Sequence, residues 1–138
     1  MVASVQTNTV EAVGAGGLDQ LAGAMQTSVV AKAFGALADP VRLRIVELLA
    51  ERGEVSASEL GVELPVSQPR VSVHLRCLSD CGFTTVRREG RRAYYQLTGP
   101  HIAELVATVR AHADTALPGL LACLQCGPHR PGPDPACC

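Results

Sequence analysis

A chain of 138 residues with a net charge of −1 and six cysteines is long enough for one domain of about 100 residues plus tails. No apolar run is long enough to span a bilayer, and the first residues lack the basic and apolar regions of a secretory signal. A cytoplasmic chain is therefore expected, where cysteines point to metal or redox chemistry rather than structural disulfides.

In chain order, residues 1–17 are small, polar and glycine-rich and read as a disordered arm. Leu18–Met25 and Val29–Leu37 are expected to form two short alanine-rich helices. Asp39-Pro40 is an N-cap followed by proline at the first helical position, and Val41, Ile45, Leu48 and Leu49 give the helix that follows a buried stripe. Ser56 starts a short helix, with Glu59 at capping-box spacing and Leu60 and Leu64 facing inward. After Pro65 a short turn leads to Ser67, the N-cap of a second helix that carries Pro69 in its first turn and ends at Gly82. Two helices joined so closely make a helix-turn-helix, whose second member enters the major groove.

Phe83–Val86 and Ala93–Leu97 are strand-like, and the six residues between them hold Gly90 and four arginines. They predict a hairpin wing with a basic tip. Pro100 opens a helix expected to run to about Leu117, with Ile102, Leu105, Val106 and Val109 on one face, and a dimer seam is the natural cover for that face. Residues 118–138 are read as a flexible tail rich in cysteine and proline. The fold class is thus mainly α with a small β-hairpin: a homodimeric winged helix-turn-helix over residues 18–117.

Two stripes run along the helix that begins after Ser67. Val71, Leu75 and Leu78 recur at core spacing, while Arg70, His74, Cys77 and Cys81 form a flanking stripe. Charge is partitioned around it: residues 1–66 sum to −4, residues 67–97 to +4 and residues 98–138 to −1. Basic charge concentrated in one block is what a phosphate-binding surface needs. Ser67 and Gln68 are expected on phosphate, with Arg70, Val73 and His74 at base edges. His74 fits a packed or phosphate-bound histidine equally well. Arg87, Arg88, Arg91 and Arg92 would add a salt-sensitive, sequence-independent term.

Ala38–Ile45, Ser67–Leu75 and Glu89–Arg91, in that order, resemble the arsenic-repressor (ArsR/SmtB) family of winged-helix metal sensors. The resemblance covers about residues 28–117. It implies a homodimer that represses a resistance or efflux operon on double-stranded DNA and leaves it on binding metal. The family pattern also keeps Ser72 as a DNA contact. Of its sensing sites, one needs cysteines where this chain has Gly61 and Glu63. A second matches only His101 and His112, with Gly99 and Thr115 at the companion positions. A third, the CmtR-like cadmium/lead pattern, matches His74–Gly82 and assigns Cys77, Cys81 and a third thiolate from Cys123 or Cys126.

Cys77 and Cys81 lie one helical turn apart, with Cβ atoms separated by about 5–6 Å. Two thiolates at that spacing suit a soft ion, and three sulfurs fit Cd(II), Pb(II) or Hg(II) better than structural zinc. Arg70, His74 and Arg76 are expected to favour the thiolate. Cys137 and Cys138 could capture Hg(II) or belong to a dispensable tail. No catalytic triad, phosphate loop or organic-cofactor motif is present, so an enzyme is not expected. Two other readings remain open: a thiol redox or persulfide-sensing repressor on the same fold, and a metal buffer that does not bind DNA.

Overall fold

A computed structural model describes residues 17–125, and its elements begin and end on local signals in the sequence. After a short 3-10 turn at Gly17–Gln20, helix α1 spans Gly23–Leu37. The two short helices expected here are one. Thr27 and Ser28, which fall between the two expected ranges, donate their hydroxyls to the carbonyls of Gly23 and Ala24 one turn back, so they stay within the helix. Arg42 closes α1 by donating to the carbonyls of Ala36 and Gly35, acceptors that a helix end otherwise leaves unpaired.

Helix α2 (Pro40–Arg52) starts as the sequence predicts. The Asp39 carboxylate accepts from the backbone N–H of Val41 at 3.0 Å and of Arg42 at 2.9 Å, and Pro40 occupies the position where its missing N–H costs nothing. Ile45, Val46, Leu48 and Leu49 are buried. Gly53, at φ 80°, ends the helix in a conformation that side-chain-bearing residues avoid. Strand β1 (Val55–Ser56) follows; two residues are too few for a period to show in the sequence. Helix α3 (Ala57–Glu63) has the expected capping box: Glu59 N–H donates to Ser56 Oγ, and Ser56 N–H donates back to Glu59 Oε2.

Helix α4 (Gln68–Asp80) buries Val71, Leu75 and Leu78 completely, packed with the apolar stripes of α2 and α3 in one core. Strands β2 (Thr84–Glu89) and β3 (Arg92–Leu97) pair antiparallel, and β1 adds to the other edge of β3, giving the order β1-β3-β2. The pairing runs to Glu89 opposite Arg92, so the turn is only Gly90-Arg91. Arg87 and Arg88 therefore lie in a strand, not in the turn. Of these two turn residues only Gly90, at the first central position, has positive φ, 57°, the type II′ pattern that suits strand twist.

Helix α5 runs from Pro100 to Gln125, well past the stop expected at Pro118. A proline removes one helical hydrogen bond, but leucines and alanines on both sides favour continuing the helix. Ile102 and Val106 enter the core, while Val109, Leu117, Leu120 and Leu121 stay exposed. Glu47, buried on α2, accepts from Arg110 of α5 and ties the two helices together beside a cleft of about 520 Å³. Phe34, Leu37, Leu43 and Val109 line that cleft. No helix among the described residues is long and apolar enough to cross a membrane.

Asp39→Ala should cost about 1 kcal/mol of stability through removal of the cap, measured by denaturant unfolding at neutral pH. Backbone hydrogen bonds, Arg42 foremost, hold the Asp39 carboxyl below its ordinary value. Its contribution is therefore complete above the unfolded aspartate value of about 3.9 and fades as pH falls through the lower folded one. The wild type and Asp39→Ala should converge in stability in strong acid.

Candidate nucleic-acid interface and thiol pair

Burial of Val71, Leu75 and Leu78 fixes which way α4 turns its other residues. Pro69, Arg70, Ser72, Val73 and Arg76 are exposed, with Val73 66 % accessible. Ser72, kept as a DNA contact by the family pattern, sits on this outward face, its hydroxyl donating to the Gln68 carbonyl. Arg76 belongs to the same face and is absent from the predicted DNA contacts. Its spacing, i+4 from Ser72 and i+3 from Val73, is the sequence signal that marks it.

Three expected contacts sit differently. Ser67 caps α4 by position, but its exposed hydroxyl makes no capping hydrogen bond. The Gln68 amide donates to the Ala57 carbonyl at 3.1 Å, which turns it toward α3. His74 is buried, with Nδ1 3.8 Å from Asp39 Oδ1. Of the alternatives the sequence leaves open for His74, the packed histidine is the one observed. The same carboxylate caps α2, so Asp39 joins the start of α2 to the middle of α4.

The hairpin divides its arginines. Arg87 donates to Glu54 at 2.7 Å and to Glu89 at 2.8 Å, and its guanidinium carbon lies 4.7 Å from the Tyr94 ring centroid. These bonds hold the Glu54 carboxyl below its usual value and stabilise the Arg87 cation, so that charge is already engaged. Tyr94 beside Arg92 raises the Arg92 pKa. Arg88 and Arg91 are exposed, and among the described residues neither has an ion-pair partner. With Arg70 and Arg76 they form the uncompensated positive surface.

Cys77 is half-buried and Cys81 exposed at the C-terminal end of α4, and both are free thiols. Partial burial pushes the Cys81 thiol above its ordinary value, and Cys77, both as a neighbouring charge and through a shared hydrogen bond, pushes it further. Asp80 adds to the rise. Lys32 of α1 is the cation that opposes it, where the sequence pointed to Arg70, His74 and Arg76. Two adjacent soft sulfurs fit a thiophilic ion. Among the described residues no third histidine, cysteine or carboxylate completes a metal cluster with them. The predicted third ligand falls elsewhere: Cys126, like Cys137 and Cys138, lies outside the described residues, and so does the side chain of Cys123. His101 and His112 are both exposed on α5. Glu63, at one position of the alternative cysteine site, is paired with Arg52.

The family described as "Bacterial regulatory protein, arsR family" matches residues 39–85, from the Asp39 cap to the start of the wing. A Streptomyces lividans protein described as a probable mercury resistance operon repressor is 40 % identical over 121 residues, spanning 81 % of this chain and 92 % of its own. The chain belongs to the arsR family of regulatory proteins. The regulator CmtR of Mycobacterium tuberculosis is 39 % identical over 98 residues, covering 68 % of this chain and 81 % of that one. Identities so close give the family without separating a mercury-type from a CmtR-like member. A homodimeric winged helix-turn-helix DNA-binding domain from Mycobacterium bovis superposes with a TM-score of 0.60 at 34 % identity, covering 68 % of this chain and 91 % of that domain. This arsR-family chain is accordingly a winged helix-turn-helix transcriptional regulator.

Because Cys77 raises the Cys81 thiol, Cys77→Ser should speed alkylation of Cys81 by iodoacetamide near neutral pH. Mass spectrometry of the modified peptide across a pH series checks this. An unchanged rate would show that the two thiols do not interact, and a slower one that Cys77 favours the Cys81 thiolate.

Proposed function

We propose that the protein represses transcription by binding operator DNA as a homodimer, and that a thiophilic ion, Hg(II), Cd(II) or Pb(II), releases it. The ion would be held by Cys77, Cys81 and a thiol of the C-terminal segment, Cys123 or Cys126. The observation that carries this reading is the pair of free thiols on the flank of the helix that exposes Arg70, Ser72, Val73 and Arg76. One helix then reports metal occupancy and grips the major groove. Relatives described as a probable mercury resistance operon repressor and as a cadmium resistance transcriptional regulatory protein support the class of effector.

Dimerisation is supported by the homodimeric neighbour and by the apolar surface of α1 and α5, where Phe34, Val109, Leu117 and Leu121 are about half exposed. Such a contiguous patch is unusual on a monomer. On DNA, Arg70, Val73 and Arg76 would face base edges, with Ser67 and Ser72 on phosphate or base according to depth. Arg88, Arg91 and Arg92 would reach the backbone beside the groove. Arg87 would hold the wing's shape rather than a phosphate.

Release requires the ion to prefer the free dimer over the DNA-bound one. A bond from α4 to the end of α5 would do so by shifting α4 against the α2 core. Helix α5 places the backbone of residue 123 in its last turn, which brings this ligand candidate onto a helix instead of a tail. Coupling energies of about 1–3 kcal/mol are usual and would lower operator affinity roughly 5- to 150-fold. A second reading, thiol oxidation as the signal, is favoured by the two free thiols one helical turn apart at the end of α4. A peroxide would take two electrons from the pair and join the sulfurs.

Fluorescence anisotropy with a duplex selected by the protein from a random-sequence pool tests the proposal. One equivalent of Hg(II) per subunit should release the DNA, and Cys77→Ser or Cys81→Ser should abolish release while leaving metal-free binding within about twofold. Full response of either serine variant to Hg(II), Cd(II) and Pb(II) would overturn the thiol site, and release by peroxide alone would favour oxidation. Separately, the double variant Arg88→Ala/Arg91→Ala should flatten the dependence of log affinity on log salt by about 0.9 for each phosphate it no longer neutralises. An unchanged slope would remove the wing from the interface.

A further inference from the structure

The turn between α3 and α4 holds an arrangement that neither the thiol pair nor the basic surface explains. Gly61 lies mid-way along α3, where glycine is a poor choice for a helix. A Cβ built on it would stand 1.6 Å from Gln68 Oε1 and 2.7 Å from Gln68 Cδ. The Gln68 amide, the end of a flexible side chain, is laid over α3 so closely that any Cβ at residue 61 would have to displace it. From that seat its Nε2 donates to the Ala57 carbonyl at 3.1 Å, at the start of α3, while Gln68 is itself the first residue of α4.

The geometry points to Gly61 and Gln68 as a positioning pair that sets α4 against α3 for DNA binding. The missing Cβ makes the seat, and the glutamine amide fills it and fastens the first turn of α4 to the first turn of α3. This inference rests on the DNA-binding reading above and deepens it. It gives Gln68 an indirect part in the operator grip, where its place at the start of α4 suggested a phosphate contact. It also gives Gly61 a reason to be glycine despite its helical position. Because any side chain at residue 61 competes with the glutamine amide for the same space, the two residues must act as one unit.

The test compares Gly61→Ala, Gln68→Ala and the double variant in the full chain, using anisotropy with the same selected duplex and thermal unfolding followed by circular dichroism. Alanine at 61 favours the helix, so Gly61→Ala should leave the unfolding midpoint equal or higher while weakening operator binding about two- to tenfold. Gln68→Ala should weaken binding to a similar degree, and the double variant no more than either single one. Opposite movement of stability and affinity in Gly61→Ala is a result that simple helix destabilisation cannot give. If Gly61→Ala binds as tightly as the wild type, or if the two effects add in the double variant, the pair does not act together and the inference is overturned. If Gln68→Ala alone weakens binding, Gln68 contacts DNA directly, which also overturns it. Failure of the wild-type chain to select any duplex would instead refute the DNA-binding reading itself.

Discussion

Complete burial of Val71, Leu75 and Leu78 is the constraint on which the rest of this structure depends. These three side chains lock the rotation of α4 about its own axis against the stripes of α2 and α3. Once that rotation is fixed, Arg70, Ser72, Val73 and Arg76 must face outward, His74 must face Asp39, and Cys77 and Cys81 must lie at the flank. A helix rotated by one residue, about 100°, would bury a different set and lose both surfaces at once. Apolar packing therefore decides the chemistry that α4 presents, although none of the three residues takes part in it.

Electrostatics refines this arrangement without creating it. Formal charge alone would make the whole segment from Ser67 to Leu97 a phosphate surface. Arg87 is instead absorbed by Glu54 and Glu89, and Arg52 and Arg110 are absorbed by Glu63 and Glu47. What is left is a smaller and better defined positive surface along α4 and the hairpin tip. Exposed pairs of this kind add little stability, so their main consequence is to decide which cations remain available to a polyanion.

The thiol pair stands where mechanical coupling is short. It lies on the C-terminal turn of α4, beside α1, whose Lys32 tempers the rise in the Cys81 pKa. Glu47 and Arg110 join α5 to α2. A ligand that draws α5 toward α4 therefore works against a core with little slack, because close-packed interiors shift between discrete arrangements rather than yielding gradually.

The sequence by itself determined the elements with local causes. Asp39-Pro40, the Ser56–Glu59 capping box and the glycine after α4 mark their helix ends because capping is settled within four residues. The i, i+4, i+7 stripe of α4 was legible for the same reason, as was the wing, from its strand-forming residues around Gly90. Only the tertiary structure decided what depends on a distant neighbour, such as the strand that Val55–Ser56 make by pairing with Tyr95 and Tyr94; it also resolved local signals that compete, so that Thr27 and Ser28 stay within α1 and α5 passes Pro118. It also decided the fate of individual polar side chains. Gln68, His74 and Arg87 read as DNA contacts because their types and spacing allow it. In the fold each also has a partner within the chain, Ala57, Asp39 and Glu54, the last two from 33 or more positions away, a separation at which side-chain periodicity carries no information.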